Sequence, residues 1–215
     1  MPDIASPPAP VSRSERTRQA LIEAGRRLFS MRPVDAVAID DIVHAACVAK
    51  GSFYNHFKDK DALVRAITGQ IRRDIEDAVA AANANVSDPA LRTVRGLCVY
   101  LGFAAQQPEH AVALLRIQGG HTSLNAPLNR GIVEDIAAGR DSGRFSLPSI
   151  EVGVLMVMGV AQIALAKITE AGPDLDPSHL AQQLCTVLLR GFGLDPDEAQ
   201  TLADQAALLV STIRS

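Results

Sequence analysis

The segment Ile39-Asp-Asp-Ile-Val-His-Ala-Ala-Cys-Val-Ala-Lys-Gly-Ser-Phe-Tyr-Asn-His-Phe57 decides the fold. Its apolar residues are spaced for two short helices, over 39–46 and 50–57, joined by a tight turn around Ala46 to Ala49. Two short helices across such a turn make a helix-turn-helix. Ile42, Ala45 and Ala46 on the first are placed to pack against Phe53 and Phe57, an i,i+4 pair on the second. The opposite face of the second helix carries Lys50, Ser52, Tyr54, Asn55 and His56. These side chains suit phosphate oxygens and base edges, and an inert surface would select few of them. A lone Tyr or His is more often a plain surface or packing residue. Gathered on one short helix face, they predict readout of a DNA major groove.

Working outward, residues 13–31 place Leu21, Ala24, Leu28 and Phe29 on one helical stripe, with Arg16, Arg18, Glu23, Arg26 and Arg27 at the remaining positions. Downstream, Leu63, Ile67, Ile71, Ile75 and Val79 recur every four residues and predict a long helix over 60–84, able to bridge the N-terminal unit to the rest. Asp88-Pro89, Asp176-Pro177 and Asp195-Pro196 each set an N-cap acceptor before a Pro at the first helical position, and Glu198 adds a reach-back acceptor. Gly172-Pro173 and Gly191-Phe192-Gly193 supply stops. The remaining helices are expected at 89–106, 109–118, 126–139, 149–171, 177–192 and 196–214, with no alternating strand pattern competing. The fold class is therefore all-α. Its expected parts are a disordered Pro- and Ser-rich arm over 1–12, a helix-turn-helix domain over 13–60 and a helical ligand-binding and dimerisation domain over 61–215.

The composition agrees with a soluble globular chain: 215 residues, 47% hydrophobic, 4% aromatic, no Trp, and a net charge of −3. That total hides a split, because residues 1–73 hold 12 Lys or Arg against 8 Asp or Glu, a net +4, while the remainder carries −7. Cys47, Cys98 and Cys185 are an odd number without a C-x-x-C pair, so neither a disulfide framework nor a zinc site is expected, and a reducing cytoplasm fits best. The N-terminus lacks the apolar core of a secretory signal. The most apolar stretch, 152–166, is shorter than the ~20 residues of a membrane span and reads as a buried helix.

With those residues in view, Thr17-Arg18, Ile22, Ala24, Leu28-Phe29, Asp41-Ile42 and the run Val48 to Leu63 (VAKGSFYNHFKDKDAL) resemble the DNA-binding domain of the TetR family of transcriptional regulators, over about residues 14–63. The resemblance implies an all-helical homodimer with a DNA-binding head and a body that dimerises and takes up a small molecule. It places Lys50, Gly51, Ser52, Tyr54 and Asn55 at the major groove, Tyr54 and His56 at phosphates, and Lys60 as a phosphate contact at the start of the long helix. Several positions depart from the pattern. Val37 and Ala38 stand where a Thr or Ser is usual, Cys47 where the turn has Gly, Ala49 where a Ser caps the recognition helix, and Pro33 where a Gly ends the first helix. Arg13, Arg16 and Arg18 are candidates to reach the minor groove or the backbone.

The body is less explicit. Tyr100, Phe103, His110, His121, Met156 and Gln162 are the candidate ligand-lining residues, since such sites are mostly apolar with a few placed polar groups. His110 and His121, eleven apart without flanking carboxylates, do not form a metal motif, and no cofactor is expected. The run 151–170, with Gly153, Gly159 and Ala161 for close approach, joins Leu180, Leu184, Val187 and Leu188 as the expected dimer face, with 202–213 as its rival. The expected function is a ligand-responsive, homodimeric repressor of a pseudo-palindromic operator, with double-stranded DNA, a small-molecule effector and no membrane as its partnerships. A helical carrier or enzyme with a structural N-terminal unit is the alternative, but the chain carries no H-E-x-x-H, G-x-S-x-G, P-loop or G-x-G-x-x-G. A regulator answering to a protein partner is the third reading.

Overall fold

The computed structural model describes residues 12–117 and 129–212. The expected arm, apart from Ser12, lies outside the described residues, as do His121 and the expected start of a helix at 126. Among the described residues the chain is all-helical and divides into two compact units, one up to Ile67 and one from Thr68 onward.

The first unit begins with α1 (Arg13–Met31), whose first turn is capped by Ser12, its Oγ accepting the Glu15 N–H at 3.1 Å. One face buries Leu21, Ile22, Ala24 and Phe29, and Leu28 is half-buried. Gly25 lets α1 approach closely, because a Cβ there would stand 3.0 Å from Leu63 and Ile67 side-chain atoms. After Pro33 a 3₁₀ turn (Val34–Ala36) leads into α2 (Ile39–Ala45) and α3 (Lys50–His56). The turn between them holds Cys47 at φ 54°, the one non-glycine residue at positive φ among the described residues. That conformation costs roughly 1–2 kcal/mol for a residue with a Cβ. Neither Ala38 nor Ala49 offers a side-chain acceptor as N-cap. At α2 the Asp41 carboxylate accepts the Ala38 N–H at 3.2 Å, and this bond holds the Asp41 carboxyl below its ordinary range.

The long helix α4 (Lys60–Asn83) starts behind Asp59, whose carboxylate accepts the Ala62 N–H at 2.7 Å. Leu63 and Ile67 complete the core of the first unit, around fully buried Phe29, Ile42 and Phe53.

In the second unit α5 (Pro89–Gln106) is central, packing against α6 (Pro108–Ile117), α7 (Arg130–Asp141), α8 (Ile150–Ala171), α9 (Pro177–Gly191) and α10 (Pro196–Thr212). Its buried positions run all round the helix, including Val94, Leu97, Cys98, Leu101 and Phe103. Asp88, Ser149, Asp176 and Asp195 cap α5, α8, α9 and α10 through their side chains. Helix α7 runs two residues past its expected end at 139 and stops at Asp141, with Gly143 at φ 71°. Gly139 serves a close approach, because the Phe145 ring occupies the space a Cβ would need.

Two further expectations change. Helix α8 has its expected length, 22 residues, but only 33% of its most apolar window, of mean hydropathy 1.9, is buried, so it is not the enclosed helix expected. By length and composition alone it is long enough to cross a membrane. Gly153 and Leu188, expected at a dimer face, belong to the chain's own core: a Cβ on Gly153 would stand 2.8 Å from Ile136 and Leu147 atoms, and Leu188 is buried. Cys98 and Cys185, distant in sequence, bring their sulfurs to 3.6 Å as buried free thiols, and the contact together with burial pushes the Cys185 thiol up.

Arg144 ties two helix starts together. Its Nε and Nη2 donate to both Asp88 carboxylate oxygens at 3.0 Å, and Nη2 also reaches Glu198 in the first turn of α10 at 2.7 Å. Burial by itself would raise the Asp88 carboxyl, but the Arg144 bonds and the amides of Ala90 and Leu91 outweigh it and hold the group below its ordinary value. A carboxyl depressed in the folded state stabilises above its unfolded value, near ~4, and loses that contribution as pH falls through the folded value. Asp88→Asn keeps an N-cap acceptor but removes the ion pair. We expect the variant to melt below wild type at pH 7 and the gap to close between about pH 5 and pH 2, as checked by circular dichroism melts. A gap that stays constant in acid would contradict this assignment.

Candidate nucleic-acid interface

The orientation of α3 follows from its two aromatic anchors. Phe53 is fully buried and Phe57 is 4% exposed, with ring centroids 5.7 Å apart. The Arg18 guanidinium lies 5.6 Å from the Phe57 centroid, so α1 covers the second anchor with a cation. The opposite face is open. Lys50, Gly51, Tyr54 and Asn55 are exposed, while Ser52 and His56 are half-buried. Tyr54 is 54% exposed and braced edge-on against Phe53 at 5.4 Å, which presents its hydroxyl outward on a stiff support. At Gly51 a Cβ would meet nothing within 4 Å, leaving the backbone of the first turn accessible.

Two lysines have partners that the sequence did not disclose. Lys50 Nζ lies 2.7 Å from Asp40 Oδ1, both side chains exposed, and this hydrogen bond raises the lysine's pKa. Lys60 Nζ donates to the carbonyls of Val34 and Val37 at 2.8 and 3.0 Å. Lys60 therefore fastens the 3₁₀ turn to the start of α4, and two of its three donors are committed to the fold. Its expected role as a phosphate contact is reduced to the third donor.

Of the residues proposed to line an effector site, the structure brings Phe103 and His110 together, their rings stacked at 5.7 Å and 12°. Tyr100 is one turn earlier on α5. Met156 is elsewhere, 36% exposed on the outer face of α8 and close to Gly191, so it belongs to that surface. Gln162 is half-buried on α8. A cleft of about 460 Å³ is lined by Ala105, Gln106, Pro177, Ser178, Val210 and Ser211, and none of the expected lining residues faces it. Arg72, which sequence reasoning passed over as a charge on a long helix, is half-buried, and its Nε is enclosed without a hydrogen-bond partner.

A helix-turn-helix with one face buried and a polar face exposed, followed by a wholly helical body, defines the class of helix-turn-helix DNA-binding proteins. The comparisons narrow it. Residues 21–67 match bacterial regulatory proteins of the tetR family, and residues 88–205 match the tetracyclin repressor-like C-terminal domain. The HTH-type transcriptional repressor DhaR of Mycobacterium sp. (strain GP1) is 35% identical over 78 residues, 36% of this chain and 39% of that protein. The crystal structure of RolR in complex with resorcinol is similar over 89% of this chain and 95% of that one, with a TM-score of 0.61 at 24% identity. A gamma-butyrolactone receptor (ArpA-like protein) aligns over 91% of this chain and 99% of that one, with a TM-score of 0.65 at 19% identity. The matches to curated relatives span about two-fifths of DhaR and a quarter or less of the others. The chain belongs to the TetR family, a family of DNA-binding transcriptional regulators rather than enzymes.

The Asp40 pair sets a measurable expectation. Asp40→Asn removes a negative charge beside the recognition helix and releases Lys50, so duplex affinity rises a few-fold at fixed salt. Lys50→Ala lowers affinity and flattens the slope of log K against log salt by about 1. Fluorescence anisotropy on a labelled duplex at several salt concentrations reads both. Equal affinity of Asp40→Asn and wild type would mean that Asp40 does not compete with DNA for Lys50.

Proposed function

We propose that the protein is a homodimeric transcriptional repressor that reads a pseudo-palindromic operator and is released or modulated by a small-molecule effector in its helical body. The single observation carrying this reading is α3 itself, with Phe53 and Phe57 sunk in the core while Lys50, Gly51, Tyr54 and Asn55 stand exposed together. Lys50, Gly51, Ser52, Tyr54 and Asn55 meet the major groove, Tyr54 and His56 reach phosphates, and Lys60 offers its remaining donor. The DNA-binding domain spans 13–60 and the effector-binding and dimerisation domain 61–215. A protein that reads the genome in this way works in the cytoplasm. DhaR, a repressor by name, and RolR, solved with resorcinol, support the repressor and effector parts by analogy.

Two recognition helices held about one duplex turn apart, roughly 34 Å, match a two-fold symmetric site. An effector that changes this spacing through α4 acts only by its differential affinity for the two states. The coupling is then reciprocal, and operator DNA weakens effector binding by the same factor. Incubation with a random duplex library at one near-physiological salt concentration, followed by sequencing, is expected to enrich a two-fold symmetric site. Retention without a preferred sequence, fading steeply as salt rises, would reduce the head to phosphate electrostatics and overturn the reading.

The dimer face is argued from α8 and α9. Val152, Leu155, Met156 and Ile163 of α8 and Val187 of α9 are large apolar side chains left exposed, Ile163 at 72% and Val187 at 68%. Gly159, also exposed with open space around it, allows a second helix to come close. Ile163→Asp and Val187→Asp are expected to yield monomers by light scattering and to abolish binding to the symmetric site, with the melting temperature of the remaining fold close to wild type. Dimers of unchanged mass would remove this face from the proposal and favour α10.

A further inference from the structure

Two polar side chains of the second unit find no hydrogen-bond partner among the described residues. Arg72 on α4 and Tyr100 on α5 make no hydrogen bond or ion pair among the described residues, although both are half-buried or more and the Arg72 Nε is fully enclosed. Buried polar groups are normally partnered, so such a pair calls for an explanation.

The register of the two helices brings them together. Asn83 Nδ2 donates to the Arg92 carbonyl at 3.1 Å, Arg95 donates to the Ala82 carbonyl, and Val79 lies 3.6 Å from the Cβ position of Gly96. Residue numbers rise on α5 as they fall on α4, which is an antiparallel pair. Continued by two turns, it sets Arg72 opposite Tyr100 and Phe103. The mutual electrostatic influence of Arg72 and Tyr100 agrees with that placement.

Both groups are donors at neutral pH. A guanidinium stays charged in proteins. Burial pushes the Tyr100 phenol up to about 12, with Arg72 opposing, so its proton stays on. Glu76, one turn beyond Arg72, is exposed; its charge acts on the guanidinium from a distance, without an ion pair. Among the described residues the cluster therefore holds positive charge and donors without an acceptor, and one turn further along α5 Phe103 stacks on His110. A planar guanidinium takes a carboxylate through two parallel hydrogen bonds, and a phenol hydroxyl can donate a third.

We propose that Arg72 and Tyr100 bind the carboxylate of a small organic acid whose ring-sized apolar body rests against Phe103 and His110. This deepens the effector-binding reading of the body and rests on it. Benzoate and phenylacetate, each compared with its amide, are the probes, and titration calorimetry with thermal melts on the full-length protein is the readout. The acids are expected to bind and to raise the melting temperature, and the amides to bind roughly 10-fold more weakly or worse. Arg72→Gln should erase the preference for the acid, while Tyr100→Phe should weaken acid binding with its folding preserved. Acids that bind no better than their amides, or not at all, would overturn the proposal, as would an Arg72→Gln variant that still prefers them. Because library selection on DNA is independent of these titrations, the failure of either reading is visible without the other.

Discussion

A seven-residue helix does not hold its own shape in water, since nucleation is unfavourable and fewer than about 12 residues gain too few hydrogen bonds to offset it. Helix α3 exists because Phe53 and Phe57 are buried where it packs against α1 and α2. Everything the head can do to DNA depends on that anchoring. It determines which face is presented, and it braces Tyr54 through the Phe53 ring. Because anchors and readers occupy opposite faces, changes on the exposed face alter recognition with little effect on stability, whereas changes at the anchors remove both.

Three of the unit's departures from its family pattern cost stability, and other contacts offset the loss. Ala38 and Ala49 forgo side-chain caps, each worth about 1 kcal/mol, and Cys47 holds a left-handed conformation at a similar cost. In return, the Asp41 carboxylate takes the Ala38 N–H, and Lys60 gives charge-assisted bonds to the carbonyls of Val34 and Val37. The part-buried Lys60 bonds contribute about 1.5–3 kcal/mol apiece, which offsets much of the deficit. The connection before α2 is thus secured by a lysine from a distant helix instead of by a local hydroxyl.

These cases show where sequence reasoning reaches and where it stops. Most helix boundaries were legible because caps are local: Asp88, Ser149, Asp176 and Asp195 act on amides two or three residues away. The split of α3 into buried Phe and exposed polar faces was legible for the same reason, being a matter of period. Partners from other segments were not. Nothing in the spacing pairs Lys50 with Asp40, Lys60 with Val34 or Cys98 with Cys185. Gly139 carried no signal beyond lying at the expected end of a helix, and Gly153 looked like a contact for a second chain, because a glycine announces a close approach without saying by what. Only the fold supplies Phe145 for one and Ile136 for the other.

Helix α8 connects the body to the head's task. Its charged residues Glu151, Lys167 and Glu170 cluster toward its ends, and Val154, Val157, Ala164, Leu165 and Ile168 are already spent on the core of the second unit. A membrane span would have to give up that core, whereas a second copy needs only the face that is still exposed. The head gives such pairing a purpose. A single short recognition helix with a handful of contacts leaves affinity near the non-specific range of about 10⁻⁴–10⁻⁶ M. Tethering two heads makes the second binding event intramolecular and raises the overall affinity by a factor of order 10²–10⁴ with no new contact to DNA. In the proposed dimer the apolar face of α8 and the polar face of α3 are therefore two requirements of one device: the first makes the second strong enough, and symmetric enough, to select a site.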